Sequence, residues 1–132
     1  MESMVVDYKG GHRFRTDVRG HEIVSDQPPG KGEDTGPTPP ELFISSLGAC
    51  IGVYMVFFAE RHNISLEGMK VEMKWEKEQN PPRIEKIQAK IILPSGVPKR
   101  YREPLHKSAI CCLLHNTINH TPHIEIDMSI AD

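Results

Sequence analysis

From Leu42 to Ala59 the chain carries no charged side chain, and most of these residues are apolar. A run of this length either crosses a membrane or forms the central helix of a soluble domain. Ser45, Ser46, Gly48 and Gly52 interrupt it, and no other segment resembles a span. The remaining chain reads as amphipathic strands that need something apolar to pack on. A buried helix is therefore expected, and no membrane association. Thr38-Pro39-Pro40-Glu41 is its start, with Thr38 as N-cap, Pro39 at the first helical position and Glu41 at the capping-box position. The helix should reach Arg61 or His62, with Asn63 as its stop. The 132 residues fit a single domain, 1–132, with one core. Apolar residues cover nearly every face of the helix, and a domain this small can hardly enclose it on all sides. That argues for a homodimer.

Around this helix the patterning is that of short strands. Met4, Val6 and Tyr8 alternate with polar neighbours, and Gly10-Gly11 and Arg19-Gly20 punctuate residues 4–25 as turns. Gln27 to Pro40, rich in Pro, Gly and Asp, is a loop, and long loops are often functional. Met69 to Lys77 alternates strictly, as a strand with one wet face does. Asn80-Pro81-Pro82 makes a turn, and Ile87, Ala89, Ile91 and Leu93 mark the partner strand. Pro98 to about Asn119 reads as one second helix, and Ile124, Ile126, Met128 and Ile130 as a last strand. Strands, helix, two strands, helix, strand is an α+β order, with antiparallel sheets around central helices.

A formal net charge of -2 gives no electrostatic case for nucleic acid. The three cysteines are an odd number and two are adjacent, which is a poor disulfide framework. The first residues lack a basic stretch followed by an apolar one, so no signal peptide is evident. A cytoplasmic location is expected, where a disulfide is transient and catalytic.

Cys50 lies in the middle of the apolar run, and Cys112 comes one helix and two strands later. On the second helix, Leu105, Ala109, Ile110, Leu113 and Thr117 define the apolar face at 100° per residue. Cys112 falls at its edge, while Cys111 points well away. Of the adjacent pair, Cys112 is thus the one placed to reach the first helix, and two thiols that can meet suggest redox chemistry. The competing reading is packing: Cys50 as a small core residue, Cys112 as an interface residue and Cys111 as incidental. Cys111, Cys112, His115, His120 and His123 cluster in sequence and raise a zinc site. Against it, Cys111 and His115 share a helix face that Cys112 does not, and there is no Cys-x-x-Cys. No metal and no cofactor are expected.

Gly36-Pro37-Thr38-Pro39-Pro40-Glu41-Leu42 followed by Leu47-Gly48-Ala49-Cys50 resembles the first cysteine motif of the OsmC/Ohr family, the osmotically inducible protein C and organic hydroperoxide resistance proteins. Cys112-Leu113-Leu114-His115 resembles the second, usually Cys-Pro-Val-His. The resemblance implies an intertwined homodimer with two long central helices and active sites at the subunit interface. It implies a thiol-dependent peroxidase acting on organic hydroperoxides in oxidative stress defence. Cys50 attacks the peroxide, Cys112 resolves the sulfenic acid as a disulfide, an arginine and a glutamate assist, and an external thiol reduces the enzyme.

The sequence departs from that pattern in three places. Aligned on Cys50, the assisting glutamate falls on Pro40, with Glu41 one residue later, about 100° around a helix. The arginine after the glycine pair becomes Arg13, displaced by one, with Arg15 as second choice. Leu113 replaces the proline, and Cys111 is additional. The chain is thus nearer the broad OsmC-like branch. Glu41 acting only as a cap, and Arg13 as a surface charge, are equal alternatives. In a different class altogether, the chain is a non-catalytic dimer that binds a small apolar ligand between its central helices.

Overall fold

The computed structural model describes residues 1–131 and divides into two compact units, Met1–Ser46 and the chain from Leu47 onward. The first unit holds β1 (Val6–Tyr8), β2 (Phe14–Val18) and β3 (His21–Ser25), an antiparallel sheet in the order β1-β2-β3. Val18 pairs with His21, leaving Arg19-Gly20 as a two-residue loop. Both have positive φ, 48° and 80°, as the tight hairpin turn compatible with strand twist requires. The loop beyond β3 is organised by Asp26, which is buried. Its carboxylate accepts hydrogen bonds from Thr35 Oγ1 (2.6 Å), Gln27 N (2.7 Å) and Thr35 N (3.1 Å). A Cβ at Gly32 would lie 2.5 Å from Asp26 Oδ1, so only glycine fits there.

Helix α1 spans Pro39–Arg61, about 34 Å at 1.5 Å per residue. It begins with the expected capping box: Thr38 N donates to Glu41 Oε1 (2.8 Å) and Glu41 N to Thr38 Oγ1 (3.3 Å). It ends at Asn63, whose φ of 53° lets Ile64 N donate back to Ala59 O at 2.9 Å.

In the second unit, the rest of α1 is followed by β4 (Lys70–Glu78) and β5 (Arg83–Ile92), an antiparallel pair. A 3₁₀ turn (Lys99–Tyr101), α2 (Arg102–Ile110) and α3 (Leu113–Asn119) complete it. Val71, Met73 and Trp75 alternate inward along β4, against Ile84, Ile87 and Ile91 of β5. Glu76 pairs with Lys86 and Lys77 with Ile84, so Glu85 is an extra residue. This bulge returns Ile84 to the inner face that strict alternation would deny it. The core is built from Leu47, Ile51 and Met55 of α1, Val97 from the loop after β5, Leu105 and Ala109 of α2, and Cys112.

Two expectations fail. The second helix is not continuous over 98–119. The N–H groups of Cys111 and Cys112 reach back only three residues, to Ser108 and Ala109. Cys112 then turns extended (φ -58°, ψ 134°) before α3 starts. The supposed single apolar face is therefore split: Leu105 and Ala109 are buried, while Ile110 and Leu113 are exposed. The last strand is also absent among the described residues. Ile124, Ile126, Met128 and Ile130 are 74–94% exposed. Alternation makes a strand only where a neighbouring edge accepts its hydrogen bonds, and among the described residues no strand pairs with them.

Helix α1 is long and apolar enough to cross a membrane, with a mean hydropathy of 2.1 over its most apolar stretch. Only 39% of that stretch is buried within the chain. Val53 and Phe57, three and seven residues after Cys50, face outward.

Candidate functional site

Cys50 lies midway along α1, half-buried, and Cys112 is completely buried at the junction of α2 and α3. The break in the second helix is what orients Cys112. By turning extended, the backbone directs its side chain inward, where a continuous helix would have left it at the edge of the apolar face. The two thiols are neighbours close enough to interact, and no disulfide joins them. Burial raises the Cys112 pKa above its ordinary 9.0, and the neighbouring Cys50 thiol raises it further. The amides of Leu114 and His115 pull the other way, though Cys112 makes no side-chain capping bond. Cys112 is thus held in its neutral, protonated form.

His115 steadies this junction. Its Nδ1 lies 3.0 Å from Ile110 O, on the far side of the two cysteines, and its Nε2 lies 3.0 Å from Asn119 Nδ2. A carbonyl oxygen only accepts, so Nδ1 carries the proton, and Nε2 accepts from the Asn119 amide. The ring clasps the end of α2 to α3 across the break. Sequence reasoning gave His115 no such part; its place in the Cys-Leu-Leu-His motif was the available signal.

Beside the thiols is an apolar cavity of about 430 Å³. Leu47 and Ile51 line it from α1, on either side of Cys50 in sequence. Ile84, Ile87 and Ile91 line it from β5, Ala109 and Ile110 from α2, and His115 and Ile118 from α3. His106 and Glu85 are its other polar groups.

Arg13 and Glu41 belong to the first unit, the two thiols to the second. The Arg13 side chain makes long contacts, 3.4 Å to Lys9 O and 4.0 Å to Glu33. With Lys9, His12 and Lys31, and with the carboxylates of Asp26 and Glu33, it lines a polar cleft of about 500 Å³. Arg15 is instead held by Asp17 (3.0 Å) and Glu22 (3.4 Å), which raise its pKa. Glu41 forms the capping box described above. Among the described residues, no three of His, Cys, Asp and Glu are grouped to hold a metal ion.

The sequence profile of the OsmC-like proteins matches residues 30–127. The chain belongs to the OsmC-like family. Solved structures share its fold. A Psychrobacter arcticus protein is 20% identical with a TM-score of 0.80, over 89% of this chain and 88% of its own. An OsmC-like protein from Mycoplasma pneumoniae is 16% identical with a TM-score of 0.77, over 90% and 87%. An OsmC-like hydroperoxide resistance protein from Jannaschia is 23% identical with a TM-score of 0.58, over 96% and 91%. No curated protein sequence matches the chain. The OsmC-like fold anticipated from the two cysteine motifs is therefore the observed one.

Proposed function

We propose that this OsmC-like protein is a thiol-dependent peroxidase that reduces organic hydroperoxides through Cys50 and Cys112, in defence against oxidative stress. The observation that carries this reading is the pairing of two reduced thiols whose packing neighbours Leu47, Ile51 and Ala109 line an apolar cavity. Cys50, as thiolate, attacks the terminal oxygen of the hydroperoxide. The O–O bond breaks, the alkoxide takes a proton and leaves as an alcohol, and Cys50 becomes a sulfenic acid. Cys112 attacks that sulfur, water leaves, and the disulfide protects Cys50 from over-oxidation. An external thiol returns both sulfurs to the reduced state in a reducing cytoplasm. The apolar lining favours peroxides with hydrocarbon tails over hydrogen peroxide.

Arg13 would stabilise the Cys50 thiolate, since its guanidinium meets the Glu33 carboxylate only at 4.0 Å. Glu41 would assist in the same step while it caps α1. The working form is a homodimer. In support, α1 leaves Val53 and Phe57 outward beside Cys50, and residues 124–130 expose four large apolar side chains. Neither surface suits an isolated chain.

A second reading has one observation in its favour: neither sulfur lines the apolar cavity. On this reading the protein binds a small apolar ligand and turns nothing over. Consumption of cumene hydroperoxide with dithiothreitol separates the two. Turnover by the native protein, abolished in Cys50→Ser, supports the peroxidase. Absence of turnover by a folded, fully reduced protein refutes it and leaves the ligand-binding reading.

A further inference from the structure

A sulfenic acid on Cys50 has two fates. In one, the Cys112 sulfur attacks it, the S–O bond breaks, and hydroxide leaves with the Cys112 proton as water. In the other, a second hydroperoxide adds its oxygen, giving a sulfinic acid and an alcohol. The first reaction is intramolecular, so its rate depends on how well Cys112 is held. The product is demanding too: a disulfide needs Cβ atoms about 3.5–4.5 Å apart and a dihedral near 90°.

Cys112 stands where the local backbone is weakly tied. The N–H groups of Cys111 and Cys112 reach Ser108 O and Ala109 O only at 3.2 and 3.4 Å. Cys112 is the N-cap of α3 without a side-chain capping bond, and α3 has only seven residues, too few for a helix stable alone. The ring of His115, half-buried on the first turn of α3, supplies the missing tie. Its Nδ1 donates at 3.0 Å to the carbonyl of Ile110, the last residue of α2. This bond bypasses both cysteines and satisfies a carbonyl at a helix end. Nε2 accepts from Asn119 Nδ2 at 3.0 Å, which keeps the proton on Nδ1. The backbone amide of the same residue acts on the Cys112 sulfur. One residue therefore fixes the break and borders the thiol that the break orients.

We infer that His115 is a positioning residue for the resolving step: its Nδ1 bond to Ile110 O holds Cys112 toward Cys50, so that disulfide formation outruns over-oxidation. The inference rests on the peroxidase reading. The ring moves no proton of the reaction and acts only through Cys112. Asparagine and glutamine separate its two nitrogens. The asparagine amide nitrogen falls where Nδ1 lies and can donate to Ile110 O, whereas that of glutamine falls where Nε2 lies.

The test mixes reduced native protein and its His115→Ala, His115→Gln and His115→Asn variants with rising concentrations of cumene hydroperoxide. Peptide mass spectrometry counts Cys50 as disulfide or as sulfinic acid. The hydroperoxide concentration that sends half of Cys50 to sulfinic acid measures resolution against over-oxidation. It should fall about three- to tenfold in His115→Ala and His115→Gln, as loss of one hydrogen bond implies, and stay native in His115→Asn. The first oxidation of Cys50, followed at low hydroperoxide, should keep its native rate in all three. General destabilisation would not separate asparagine from glutamine. Asn119→Ala, at an exposed residue, frees Nε2 to take the proton and should lower the half-point as well, so the test stands even if His115→Ala does not fold. Native half-points in both His115→Gln and Asn119→Ala would overturn the inference and leave the peroxidase reading intact. A half-point in His115→Asn as low as in His115→Gln would do the same. Failure of native protein to form the Cys50–Cys112 disulfide would overturn both.

Discussion

Replacing Gly52 by alanine tests how α1 lies on the sheet of its own unit. Gly52 is a buried interior residue of α1. A Cβ there would meet Met69 Cε at 3.8 Å and Val71 Cγ2 at 3.9 Å, which is ordinary van der Waals contact. Nothing has to move. Glycine within a helix costs about 0.8–1.0 kcal/mol relative to alanine, chiefly through backbone entropy. Gly52→Ala should therefore stabilise the protein by about 1 kcal/mol, with a few tenths more from the new contacts. For a chain of this length that raises the melting temperature by about 3–5 °C. Gly48 supplies the contrast. Its Cβ would come within 3.2 Å of Met73 Cγ and 3.3 Å of Met73 Sδ. Methionine is adaptable but must give by a few tenths of an ångström, so the helix gain is offset and Gly48→Ala should be near neutral. The assay is thermal and urea unfolding of reduced protein at fixed concentration, since subunit association would make the midpoint concentration-dependent. A loss of about 1 kcal/mol or more for Gly52→Ala would mean that α1 lies closer to β4 than the structure places it, and the reasoning would fail.

The remaining predictions concern charge and association. Thr35 and the Gln27 amide hold the Asp26 pKa at about 2, below its ordinary 3.8, so its stabilisation is present above pH 3.8 and is lost as pH falls toward 2. Asp26→Asn should be less stable than native protein at pH 7 and show a flatter acid limb in pH-dependent unfolding; an unchanged acid limb would contradict this. Cys112 keeps its proton above the ordinary 9.0, so its contribution is full below pH 9 and is lost as pH rises through the folded value. Reduced Cys112→Ala should therefore lose less stability than native protein when the pH is raised above 9, and equal losses would count against the buried, protonated thiol. Phe57→Lys puts a charge on the outward apolar face of α1. Sedimentation should show dimeric native protein and a variant that dissociates at higher concentration, whereas a monomeric native protein would refute the homodimer.

Local chemistry made much of the fold legible. The charge-free run gave α1, and Thr38, Glu41 and Asn63 gave both its ends, because capping acts within a few residues. Strict alternation gave β4. The break at Cys111 and Cys112 was not legible, because neither Pro nor Gly marks it. It arises where burying Cys112 against Cys50 and the α1 side chains competes with the continuity of the helix, a tertiary effect. The misread strand at 124–130 has the opposite origin: its pattern is real, but a strand needs an edge that this chain does not pair with it. At the site, spacing selected Cys112 over Cys111, and the structure brings Cys112 to Cys50 by a sharper turn than spacing described. The clasp of His115 and the exposure of Cys111 both depend on that break, so neither could be read before it was seen.

The most direct measurement is intact-mass and peptide analysis of reduced native protein after one equivalent of cumene hydroperoxide, beside Cys50→Ser and Cys112→Ser. The account predicts loss of two hydrogens from native protein and a Cys50–Cys112 linked peptide. It predicts no oxidation of Cys50→Ser, and oxygen added at Cys50 in Cys112→Ser. Native protein whose mass is unchanged, with both thiols still free to alkylate once unfolded, would contradict it.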